Sequence, residues 1–208
     1  MSWLFDRLCA LAGADRVDVI VAADVSESIR SGADCDLVDV LVRASTVPQL
    51  TVWLLPTVTH RQISLELSES VDLDLLSADG ARTAVERLLL TQSRLRDGVL
   101  QVEARTISLG PGDRAARALH DIMAHEPGDT GHLFATDHPQ YEEVFGHLER
   151  CGLGVAIGGV DPRAAVSVPD SAGAVAIVDA LVLLRSFAFG MSSADASLSG
   201  LARTGSLV

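Results

Sequence analysis

Apolar positions in this chain follow two periods in turn. Arg16 to Ala23 holds Val17, Val19, Ile20 and Val21 in a short run closed by Asp24. An apolar run of that length, bounded by polar residues, predicts a strand buried on both faces. Leu37, Val38, Leu41 and Val42 then recur at helical spacing within Cys35 to Ala44, which completes a βα unit. Pro48 ends the helix, and Gln49 to Leu55 predicts a second strand before Pro56. Ile63, Leu65 and Leu67 alternate with Ser64 and Glu66 as an exposed strand would, and Ser68 to Leu76 suits either strand or loop. A helix follows over 80–96, with Val85, Leu88 and Leu89 on one side and Asp97-Gly98 as its stop.

Val99 to Leu109 predicts one strand, and Gly110-Pro-Gly-Asp113 opens a helix over 114–125 with Asp113 as its cap. Next come a strand ending at Asp137, a helix over 140–151 closed by Gly152, and a strand over 153–158. Strands alternating with helices imply right-handed crossovers. The expected fold is therefore α/β, a Rossmann-like three-layer arrangement with a mostly parallel sheet and helices on both faces. The expected organisation is an N-terminal docking helix over 1–15, the α/β domain over 16–159, an extension with an apolar helix over 160–191, and a flexible Ser/Ala/Gly-rich tail over 192–208.

The extension's helix, over 172–191, is rich in Val, Leu, Ile and Phe but carries Asp179 and Arg185. Two charges in hydrocarbon are costly, so this helix is expected to cover a sheet face or form a homodimer contact, with no membrane partner. With 28 acidic and 16 basic residues the net charge is −12, which lowers the expectation of nucleic-acid coating without excluding RNA bound through a metal and a few arginines. Cys9, Cys35 and Cys151 are odd in number and lack metal-ligand spacing, so a reducing cytoplasm is the expected location.

In open parallel sheets ligands sit outside the carboxyl ends of the strands, so the strand-end acids Asp24 and Asp137 are the first candidates for chemistry. The order of parts resembles the PIN-like nucleases, specifically their NYN branch, over residues 16–159. The corresponding segments are Val21-Ala-Ala-Asp24, Gly110-Pro-Gly-Asp113-Arg-Ala-Ala-Arg, and Phe134-Ala-Thr-Asp137-His-Pro-Gln-Tyr141, the last followed by a helix, Gly152 and an apolar strand. The resemblance implies Asp24, Asp113 and Asp137 as metal ligands and catalytic residues, Mg²⁺ or Mn²⁺ as cofactor, and RNA as substrate; the polar residue the family carries just after its first Asp is here Ser26 or Glu27, with Ser26 taken as the further ligand. Aligning Tyr141 and Gly152 with the family pattern puts His138 and Gln140 where two motif acids stand, with Asp137 displaced by one. The implied function is a metal-dependent ribonuclease with a degenerate acidic site. The alternative is an inactive binding or assembly module.

A second match is Asp24-Val-Ser26-Glu-Ser28, which is similar to the cation-binding Asp-x-Ser-x-Ser of von Willebrand A domains, with Thr136-Asp137 in the place of that family's later Asp. Plainer roles compete throughout. Asp24 and Asp113 each suit a helix cap, Arg114 and Arg117 suit a solvated helix face, and His132 and His138 suit a protein surface.

Overall fold

The computed structural model describes residues 2–23, 25, 36–55, 68–95, 98–110, 119, 130–148, 152–159 and 161–190. The chain begins with helix α1 (Ser2–Ala12) and strand β1 (Arg16–Ala22). Helix α2 (Leu37–Thr46) starts where Asp36 accepts a hydrogen bond from the Val38 N–H at 2.9 Å, and it stops before Pro48. Strand β2 (Leu50–Leu55) follows, then a short β3 (Glu69–Asp72) and a 3₁₀ turn over Leu73–Leu75. Helix α3 (Ala78–Gln92) is capped by Ser77, whose hydroxyl accepts from the Gly80 N–H. The remaining elements are β4 (Val99–Glu103), β5 (Thr106–Gly110), β6 (Thr130–Thr136), α4 (Glu142–Leu148), β7 (Gly152–Ile157), β8 (Val166–Val168) and α5 (Ser171–Ala188).

Among the described residues the sheet has eight strands in the order β3-β5-β4-β2-β1-β6-β7-β8. The block β2-β1-β6-β7-β8 is parallel, while β4, β5 and β3 extend it in antiparallel fashion. The fold is thus mixed α/β with a mostly parallel, partly antiparallel sheet. The single strand expected over Val99 to Leu109 is instead the β4–β5 hairpin. Its turn residues Ala104 and Arg105 have φ values of 45° and 63°, the left-handed pair that a two-residue hairpin loop requires. Neither is Gly or Asn, so the turn carried no compositional signal. It is held by long-range bonds, from the Arg105 N–H to the Ser45 carbonyl at 2.7 Å and from the Leu73 N–H to the Arg105 carbonyl at 2.8 Å.

Alternation along the strands separates two cores. Val17, Val19 and Val21 of β1 join Leu50, Val52, Leu133 and Leu153 in a large cluster with residues of α1, α2, α3 and α5. Ile20 and Ala22 face the other way, into a smaller cluster with Phe134, Phe145 and Leu148. Strand β8 and helix α5 supply the segment expected as an extension. Val175, Val178, Leu181 and Val182 of α5 are buried in the large cluster, so the apolar helix covers a sheet face as one of its two expected roles required. By length and composition α5 alone among the described residues is apolar enough to cross a membrane. Here Asp179 pairs with Arg43 of α2, and the fully buried Arg185 donates to five backbone carbonyls.

Candidate functional site at the carboxyl edge

The order in which successive strands are laid down in the parallel block reverses between β1 and β6. β1 is followed in space by β2 on one side, and β6, β7 and β8 succeed one another on the other side. Strands on either side of such a switch point splay their connections apart and leave a crevice beyond their carboxyl ends. Ala22 and Thr136, the last residues of β1 and β6, are register partners there. The Thr136 hydroxyl donates to the Ala22 carbonyl at 2.9 Å and accepts from the His138 N–H at 3.0 Å. One buried side chain therefore ties the two strand ends together and shapes the turn that carries Asp137, which is exposed.

Of the residues expected to form the site, Asp137 is described at this edge, while Asp24, Ser26 and Asp113 lie outside the described residues. The neighbours Ala23 and Val25 are both buried in the large core at the end of β1. Strand β5, which precedes Asp113, ends at Gly110 beside Val99 of β4. Three strand spacings, about 14 Å, separate that end from β1, with β4 and β2 between them. His120, His125, Arg114 and Arg117 also lie outside the described residues.

A cleft of about 460 Å³ opens beside Asp137, lined among others by Thr136, His138, Phe145, Gly158, Asp161 and Arg163. It is centred on the ends of β6 and β7. An aromatic series leads to it from the core, with edge-on ring contacts from Phe145 to Phe134 at 5.8 Å, Phe134 to Tyr141 at 6.3 Å and Tyr141 to His138 at 6.1 Å. On the far wall Gly158 has φ +72°, a left-handed conformation that glycine adopts without strain, and its N–H bonds the Val168 carbonyl at 2.9 Å. Asp161 and Arg163 form a two-pronged ion pair, Nε to Oδ1 at 3.2 Å and Nη2 to Oδ2 at 3.1 Å, and the Arg163 N–H also donates to Oδ1 at 2.8 Å. Those bonds hold the Asp161 carboxyl below its ordinary range.

The cleft therefore presents an exposed carboxylate, an imidazole and a guanidinium already paired to an acid. Sequence reasoning missed the wall made by Gly158, Gly159, Asp161 and Arg163, although a Gly-Gly pair directly after an apolar strand and an Asp-Pro-Arg segment were signals for it. Among the described residues no group of three His, Cys, Asp or Glu side chains is arranged for a metal. No protein-family model matches the chain, and no curated protein sequence matches it.

Proposed function

We propose that this protein is a divergent PIN/NYN-like domain of Rossmann-like, three-layer design that cleaves RNA at its carboxyl edge with Mg²⁺ or Mn²⁺. The observation that carries the proposal is the Ala22–Thr136 register at the switch point. It sets Asp137 one residue beyond the end of β6, in the crevice next to the strand that leads to Asp24. The ligands assigned by this proposal are Asp24, Asp113 and Asp137, with Ser26 beside them. Carboxylates gathered at one point repel each other and favour a bound cation, which when present stabilises charge on the phosphate oxygens. The chain's part is to hold Asp137 rigid through Thr136 and to offer His138 and Arg163 to the rest of the ligand. A reducing cytoplasm is the location proposed for this activity.

The second proposal is an inactive binding or assembly module built on the same edge. It is favoured by the Asp161–Arg163 pair, which neutralises the cationic side chain lining the cleft, and by His138 and Gln140 at the positions of motif acids. Titration of Mn²⁺ by calorimetry into wild type, Asp24→Asn and Asp137→Asn, followed by an assay on single-stranded RNA, separates the two. Metal binding and cleavage both lost in the variants support the nuclease. Binding without cleavage supports the module. No binding to wild type overturns both metal readings and leaves Asp24 as a helix cap.

A further inference from the structure

At the opposite, amino-terminal end of the sheet, the side facing the smaller core changes character. Register places Glu103 of β4 beside Thr51 of β2, Thr51 beside Asp18 of β1, and Asp18 beside His132 of β6. The next row on the same side is Gln101, Trp53, Ile20 and Phe134, and the one after it contains Leu55, Ala22 and Thr136. Central parallel strands are ordinarily apolar on both faces. A row of four polar side chains crossing β4, β2, β1 and β6 therefore calls for a reason beyond solvation.

Thr51 supplies the decisive observation. It is 1% exposed, and its hydroxyl has no hydrogen-bond partner. A buried hydroxyl without a partner costs about 1–3 kcal/mol. Its register partners on both sides are carboxylates, on strands about 4.7–4.9 Å away. Asp18 accepts from Arg16 Nε at 3.3 Å and Glu103 from Gln101 Nε2 at 3.0 Å, so each retains further acceptor capacity. Asp18, Glu103 and Trp53 are half-buried around the Thr51 floor.

We propose that the Glu103–Thr51–Asp18 row, with Trp53 as its wall, binds the ammonium group of a primary alkylamine. An alkylammonium has three N–H donors, and the row offers three acceptor side chains in sequence. The indole of Trp53, next to Thr51 on the same side of β2, packs the alkyl stem and attracts the cation through its ring face. Burial pushes the Asp18 carboxyl up and the charge of Glu103 adds to this, against Arg16 and His132, so a cation seated between the two acids relieves their repulsion. The excess of acidic residues over the whole chain draws amines toward the surface.

The test uses full-length protein carrying Trp3→Phe, which leaves Trp53 as the sole tryptophan. Its emission is followed while 1,5-diaminopentane, or N-acetyl-lysine amide as the second arm, is added at matched ionic strength. A saturable change is expected. Asp18→Asn and Glu103→Gln each weaken it about tenfold, and Thr51→Val about fivefold, as expected for a lost ion pair and for a lost hydrogen bond from the ammonium to an uncharged acceptor. Circular dichroism confirms that these near-isosteric variants stay folded, and Asp79→Asn, an exposed charge elsewhere, binds as wild type does. Asp137→Asn also binds normally, which keeps this site distinct from the carboxyl edge. A response to the diamine alone identifies a free amine as ligand, and a response to the lysine derivative alone identifies a protein side chain. No saturable change with either amine, or equal affinity in all three row variants, overturns the proposal.

Discussion

Replacing Arg185 tests how the two layers of chain at the amino end of the sheet are joined. Arg185 lies in the last turn of α5 and is fully buried. Its guanidinium donates to the carbonyls of Ala12, Ala14 and Asp15 after α1, at 3.1, 2.7 and 3.0 Å, and to those of Pro48 and Gln49 before β2, both at 3.2 Å. Phe189 stacks on it at 4.9 Å. Gln49 itself has φ 54°, a strained conformation for a non-glycine residue, and its carbonyl is shared by Arg185 and the Val17 N–H.

Hydrogen bonds to a charged group are worth about 1.5–3 kcal/mol each, so five of them sum to roughly 7–15 kcal/mol gross. Against this stands the cost of burying a guanidinium, several kcal/mol, which also pulls its pKa down. The net loss expected for Arg185→Met is about 3–5 kcal/mol, because the variant removes a donor from five carbonyls, of which that of Gln49 keeps the Val17 N–H, but no longer buries a charge. Arg185→Lys, a point charge with three donors in place of a planar fork, is expected to lose about 2–3 kcal/mol. Equilibrium urea unfolding followed by circular dichroism measures both. Arg87→Met, which removes only an exposed pair with Glu69, serves as the control and is expected to change stability by less than about 1 kcal/mol. If Arg185→Met falls within about 1 kcal/mol of wild type, the claim that this side chain fastens α1 and the β2 entry to α5 is wrong.

Three further outcomes are expected. Ala104→Gly relieves a left-handed alanine at an exposed turn, so it should raise stability by about 1 kcal/mol in thermal unfolding, and a drop would show that the β4–β5 turn is not strained. Asp18, whose pKa is raised in the fold, contributes stability that is full below its unfolded pKa and lost as pH rises through its folded value. Asp18→Asn should therefore flatten the fall in stability above the ordinary carboxylate range. Asp36 has a lowered pKa through its bond from Arg82, its contribution is lost as pH falls, and Asp36→Asn should flatten the acid side instead, with identical pH profiles for both variants ruling this out. Leu183, Phe187 and Phe189 remain exposed on and just after α5, Phe187 at 71%, and are proposed to form a homodimer contact. Light scattering should then give a dimer for wild type and a monomer for Phe187→Asp, whereas a monomeric wild type ends that proposal.

Much of the fold was legible in the chain because its determinants are local. The β1 run, the α2 periodicity with Pro48 behind it, and Gly152 at the start of β7 each encode an element within a few residues, and the alternation of these elements implies parallel pairing. The carboxyl-edge position of Asp137 followed from the same logic. What only the tertiary structure decided depends on partners distant in sequence. The β4–β5 turn accepts Ala104 and Arg105 at positive φ because Ser45 and Leu73 bond it from elsewhere. Strand β8 is only three residues long and takes its identity from pairing with β7. Thr136, one hydroxyl among many in the sequence, becomes the tie between β1 and β6 only when their ends are side by side. Arg185 looked like a charge to be kept out of a membrane, and its use is defined by carbonyls more than a hundred residues away. Glu103, Thr51 and Asp18 likewise form a row only through strand register, since the side chain a strand presents to its neighbour is set by pairing and not by the strand's own pattern.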